Sequence, residues 1–145
     1  MIYLTPAIQA FVQGQTVLLL QQTPYVGNKI YVGWGHIVQP TDHLPSAISE
    51  ATALTLLQSD LNYAISCLNA AVTVPLTAGQ AAALVDFIFD VGCQAFNRSL
   101  FPAVLALSDY NKAATLFYQY VTNANSLAIF GSPGRRQAEL GQFVS

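Results

Sequence analysis

Thr77-Ala-Gly-Gln80, followed at once by AAALVDFIFDV and then Gly92, is the feature that most narrows what this chain can fold into. A threonine with a glutamine three residues on forms a capping box. The threonine hydroxyl accepts from the glutamine N–H, and the glutamine side chain accepts from the threonine N–H. The helix opened this way is apolar nearly all round, so it belongs at the buried centre of a helical domain. Gly92 is placed to end it. Such an element requires other helices to surround it.

Those helices can be read on both sides. Residues 6–14 read as a short helix, with Pro6 tolerated in its first turn and Gly14 ending it. Ser49 can cap a helix running to about residue 70. Its Leu54, Leu57, Leu61, Ala64 or Ile65, and Leu68 recur at three- and four-residue spacing and make one apolar face. Residues 97–107 and 109–121 read as two more helices, GSPG at 131–134 breaks the chain, and RRQAELGQF begins the last helix. Between the first two helices, residues 17–20 read as a strand, TPYVGN as a turn around Gly27-Asn28, and KIYVGWG as the return strand. A hairpin of that size must lean on helices. The reading is a single domain over 1–145, mainly α (α+β), with a β-hairpin at about 15–38 and a helical lobe at about 46–145.

Composition limits the function. With 53% hydrophobic and 8% charged residues the chain is no disordered polymer, and it carries far less charge than the quarter or so usual in soluble domains. Gln, Asn, Ser and Thr must carry much of the solvation, and exposed apolar patches mark contacts. The side-chain cations are Lys29, Arg98, Lys112, Arg135 and Arg136. They form no basic stripe, which excludes nucleic-acid binding and weighs against tight electrostatic capture by an anionic wall or membrane. No apolar run is long enough to span a membrane. The N-terminus shows no basic region ahead of a clean apolar run, so no signal peptide is evident. Cys67 and Cys93 make no metal or redox motif and read as two small buried hydrophobes, with a disulfide open to them only if the fold brings them together. His36 has no His or Cys partner at ligand spacing, and His43 lies in a polar loop, so neither a metal nor a cofactor is expected.

VGWGH at 32–36, LLQSDL at 56–61, VPLTAGQAAALVDFIFDVG at 74–92 with AF soon after, and GSPGRRQAEL at 131–140 resemble, in this order, the phage-type lysozyme (endolysin) family. These are small muramidases with an N-terminal β-hairpin lobe and a helical lobe, and the resemblance spans nearly the whole chain. It implies where catalytic groups should stand. The family's catalytic glutamate, followed by glycine at the end of the first helix, falls on Gln13, because Gly14 sets the register. The acid nine residues later falls on Gln22, and the aromatic two before it on Leu20. The threonine of the return strand falls on Tyr31. The Gly-x-Gly-His frame is intact, and no Asp or Glu precedes Asp42. The stretch from Gln22 to Tyr31 is longer than usual in the family, so TPYVG is expected to form a bigger turn. The resemblance also pairs His36 with Asp60 and puts Asp90 at the cleft edge, where members often have Asn. Trp34 either stacks on a sugar or packs on the helical lobe.

Cleaving a glycosidic bond takes one carboxylic acid to protonate the leaving oxygen and a carboxylate on the opposite face. Glutamine fills a glutamate's space but has no proton to give, and general acid–base catalysis is worth roughly 10²–10⁴-fold. Tyr31 is expected to project into the space of the attacking water. Asp42, Glu50, Asp86 and Asp109 read as caps or solvated faces, and Glu139 as a surface partner of Arg135 worth ~0.3 kcal/mol. The expectation is a catalytically inactive lysozyme-like protein that binds a protein partner, set in bacterial cytoplasm or in a phage or secretion-apparatus particle. The alternatives are a non-cleaving peptidoglycan-binding module and a muramidase with relocated acids.

Overall fold

The structure is a computed structural model that describes residues 1–120 and 133–145. Helix α1 (Pro6–Gly14) leads into strands β1 (Leu18–Tyr25), β2 (Lys29–Trp34) and β3 (His36–Ile37). Helices α2 (Glu50–Ala71), α3 (Ala78–Val91), α4 (Cys93–Arg98), α5 (Phe101–Ala106), α6 (Tyr110–Gln119) and α7 (Pro133–Phe143) follow. The fold is mainly helical with one small antiparallel sheet in the order β1-β2-β3.

Helix α3 forms as its capping box dictates. Gln80 N–H donates to Thr77 Oγ1 at 3.1 Å, and Thr77 N–H donates to Gln80 Oε1 at 2.9 Å. All residues from Ala81 to Ile88 are buried. Phe87 lies in an aromatic cluster, with ring centroids 5.0 Å from Phe101 and 6.0 Å from Phe117. Burying each such ring stabilises the fold by about 1.5–3 kcal/mol. Ser49 caps α2 by accepting from Thr52 N–H, and Asp109 caps α6 by accepting from Lys112 N–H. Helix α7 lies against α3 at Gly79, where a Cβ atom would stand 2.4 Å from the Gln142 carbonyl oxygen. That contact exists because the side chain is absent.

Several expectations need correction. TPY is not part of a large turn: β1 runs through Tyr25, and only Val26–Asn28 turn, with Gly27 and Asn28 at positive φ. The surplus residues go into a bulge instead. Leu19 pairs with Gly33 and Thr23 with Tyr31, so four steps on β1 match two on β2. The bulged residues bond elsewhere, Gln22 N–H donating to the Ser46 carbonyl and Ile48 N–H to the Leu20 carbonyl. The single helix read over 97–107 is two, because the chain extends at Ser99 and restarts with Pro102 in the first turn of α5. The last helix starts at Pro133, inside the GSPG break; Gly131 and Ser132, and the end of the 109–121 helix reading at Val121, lie outside the described residues. Cys67 and Cys93 are not two separate buried thiols: the packing of α4 beside α2 brings them together as a disulfide.

Candidate functional site

The register of the sheet decides which side chains meet in the cleft beside the helical lobe. Tyr31 stands opposite Thr23 on β1 and Ile37 on β3, and Lys29 stands opposite Tyr25. Cross-strand partners share a face, and alternate residues of a strand share it too. Tyr25, Lys29, Tyr31 and Leu19 thus point one way and, with Thr16 and Val17, line a cavity of about 340 Å³. The rings of Tyr25 and Tyr31 meet edge to face with centroids 4.9 Å apart. Burial raises the Tyr31 hydroxyl above its ordinary pKa, and the charge of Asp90 raises it further, as does Tyr25. Asp90 therefore acts on the cleft electrostatically. Val32 and Trp34 point the other way, Val32 packing with Ile48 and Ala53, and Trp34 lying against both hydrophobic clusters of the helical side. Trp34 takes the packing role.

The two glutamines are placed differently from each other, and neither lines that cavity. Gln13 is half-buried in the last turn of α1. Its carbonyl accepts from Thr16 N–H at 3.3 Å, which turns the chain into the cleft wall. Gln22 sits in the bulge, and its side-chain nitrogen donates to the Pro45 carbonyl at 3.1 Å and the Leu44 carbonyl at 3.4 Å. That amide ties the hairpin to the segment leading into α2. A carboxylate could not make these bonds, because it has no proton to donate.

His36 lies on the helical side of the sheet between two acids. Its Nδ1–H donates to Asp60 at 2.7 Å and its Nε2–H to Asp42 at 2.9 Å. Both nitrogens donate only in the imidazolium. The bond to Asp60 is the main reason that its pKa rises to about 9; burial opposes it and Asp42 assists. Asp42 is therefore not merely a cap. It accepts from Gln39 N–H and then from His36, and both hold its carboxyl below the usual range.

The cluster between α3 and α7 also departs from the sequence reading. Asp86 is fully buried and takes two bonds from Arg135, Nε–H at 2.9 Å and Nη2–H at 2.7 Å. Asp90 pairs with Arg136 and lies 3.4 Å from Arg135. Glu139 is not on the surface with Arg135. It is fully buried, with Oε1 2.7 Å from Arg136 Nη1, though that pair is out of line for a hydrogen bond. Two guanidiniums face three carboxyls here, so neutrality is reached if one carboxyl keeps its proton. Burial, then the neighbouring Asp86, push Glu139 up to about 11 against the pull of Arg136 and Arg135. Glu139 is the group that holds the proton. Asp86 and Asp90, four residues apart on a helix that is otherwise nearly all apolar, are the sequence signal of a buried cation partner. The cleft lining of Tyr25, Lys29, Leu19 and Thr16 was missed because it depends on the bulge.

The profile of the phage lysozyme family matches residues 18–139, from the first strand to the last helix. This chain belongs to the phage lysozyme family. Among its relatives, it is 29% identical over 117 residues to the endolysin of Acyrthosiphon pisum secondary endosymbiont phage 1, spanning 79% of each chain. The muramidase domain of SpmX from Asticaccaulis excentricus superposes with a TM-score of 0.84 at 23% identity, covering 100% of this chain and 99% of that one. An endolysin of the Escherichia coli phage FAHEc1 superposes with a TM-score of 0.83 at 20% identity, covering 99% and 94%. The phage lysozyme fold thus carries, in this chain, a cleft walled by tyrosines and a helical side held by two charge clusters. Among the described residues no group of three His, Cys, Asp or Glu is arranged to hold a metal ion, and no helix is long and apolar enough to cross a membrane.

Proposed function

We propose that this member of the phage lysozyme family does not cleave peptidoglycan and acts by binding a protein partner at the hairpin cleft. One observation carries the reading: the carboxyls near the cleft are already committed. Asp42 and Asp60 hold His36, while Asp86, Asp90 and Glu139 sit with Arg135 and Arg136. Of the other two acids, Asp109 caps α6 and Glu50 offsets the dipole in the first turn of α2. No two carboxyls flank the Tyr31 cavity as an acid and its counterpart must flank a glycosidic bond. What lines the cavity suits contact instead. Tyr25, Tyr31 and Leu19 give apolar area, and Val17, Tyr25, Ile30 and Ile37 leave more of it exposed on the same hairpin. Tyrosine is favoured at protein interfaces because it buries much area at little entropic cost. The settings that fit are a phage particle, a secretion or injection apparatus, or the control of an active lysozyme.

A second reading has its own support. Tyrosine rings also stack on sugars, and relatives include a protein described as a muramidase domain. A non-cleaving peptidoglycan-binding module is therefore the alternative. A photo-crosslinking residue at position 17 in the native producer separates the two. A discrete protein adduct that disappears in Tyr31→Ser supports the protein partner. Glycan adducts alone, together with co-sedimentation on purified sacculi, favour the alternative.

A further inference from the structure

Cys67 and Cys93 are the only cysteines of the chain, and they are bonded to each other. The bond links the last turns of α2 to the first residue of α4, and the 26 residues of separation enclose the whole of α3. Gly92, at φ 92°, turns the chain immediately before Cys93. The bond thus sits on the corner where the buried helix hands over to α4. Cys67 is 7% exposed, but Cys93 is half-buried and helps line a cavity of about 500 Å³ beside His36, Asp60 and Gly92. Small thiols can approach it there. In a cytosol held by glutathione and thioredoxin, bonds within reach of thiols are kept reduced.

We infer that the Cys67–Cys93 disulfide is a structural staple made in an oxidising compartment, so that the protein works outside the reducing cytosol. The bond is not needed to make up for a small core, since α3 is already enclosed by aromatic packing. Its effect is on the unfolded chain, whose freedom it cuts by closing a long loop around α3. No third thiol is present to exchange with it, so the pairing is unambiguous. Forming it removes two protons and two electrons from the two thiols. A disulfide carrier of the compartment accepts them: one cysteine thiolate attacks the carrier to give a mixed disulfide, and the second cysteine displaces the carrier as its dithiol. This inference is independent of what binds the cleft, and it sets aside the cytoplasm as the working place.

Acid-quenching the native producer, alkylating under denaturing conditions and weighing the intact chain tests where the bond exists. The expected chain carries no adduct before reduction and two after it. Two adducts without reduction overturn the inference. Equilibrium unfolding of purified protein, oxidised and reduced, tests the staple. Reduction should raise the unfolding equilibrium constant on the order of a hundredfold, and Cys93→Ser should reproduce that shift. Unchanged unfolding in both overturns the structural role.

Discussion

The side-chain amide of Gln22 donates to the carbonyl oxygen of Pro45 at 3.1 Å. A second contact to the Leu44 carbonyl is longer, at 3.4 Å. The position that the family resemblance assigns to an acid is used here as a hydrogen-bond donor. Gln22→Glu should therefore not act as a simple restoration. It removes the donor and sets a negative charge against two carbonyls, at a cost of about 1 kcal/mol at neutral pH. Urea unfolding measures the loss, which should shrink in acid, where the protonated glutamate can donate again.

His36 predicts a pH dependence. Its folded-state pKa of about 9 lies above the ordinary value of 6.5. The folded state then holds a proton that the unfolded chain has released, so stability falls as pH rises from about 6.5 to 9. At the acid end the sign reverses for Asp42, whose lowered pKa makes its contribution present above the ordinary carboxylate range and lost below it. NMR of the imidazole should show titration near pH 9, and Asp60→Asn should bring it back toward 6.5.

The α3–α7 cluster separates two carboxyls that look alike in sequence. Asp86→Asn removes the carboxylate that accepts two bonds from Arg135, while Asp90 still stands 3.4 Å from that guanidinium, and should cost about 1.5–3 kcal/mol. Glu139→Gln replaces a group that must take up a proton on folding at any pH above its ordinary value of 4.5, a cost the amide does not carry, so it should hold or raise stability at pH 7. Because the Glu139 pKa is raised, its own contribution is lost as pH climbs, and the Gln variant should lose less stability than the parent chain in alkaline solution. Thermal melts of both variants at pH 7 and pH 9 check the contrast.

Gly79→Ala should destabilise by about 1–3 kcal/mol, because its Cβ would meet the Gln142 carbonyl at 2.4 Å and force α7 away from α3. The melting temperature reads this directly. Gly134→Ala, in α7 with nothing within 4 Å of the added carbon, is the control expected to hold or slightly raise the parent value.

These sites show where the sequence was legible and where it was not. Local chemistry was readable: the Thr77–Gln80 box, the Ser49 cap and the Asp109 cap depend on residues three apart, and all three form. So was the mainly helical architecture, because an all-apolar α3 leaves few alternatives. Long-range pairings were not. Arg135 reaches Asp86 across 49 positions, and Cys67 meets Cys93 only because α4 turns back past α2. The cleft lining was hidden by the bulge at Leu20–Gln22, since the side-chain alternation of the hairpin cannot be followed through a local change of register. Asp42 was legible only in part, for a related reason. Its role as a cap is local and visible, whereas its bond to His36 arises only when β3 folds back.

The most direct measurement is the release of reducing ends from purified peptidoglycan sacculi by the disulfide-bonded protein, beside an active phage endolysin. With Gln13 and Gln22 unable to deliver a proton and the carboxyls of the helical side held by His36, Arg135 and Arg136, release should not rise above buffer at any pH from 4 to 9. Release that rises with enzyme concentration and is lost in Asp90→Asn would contradict this reading.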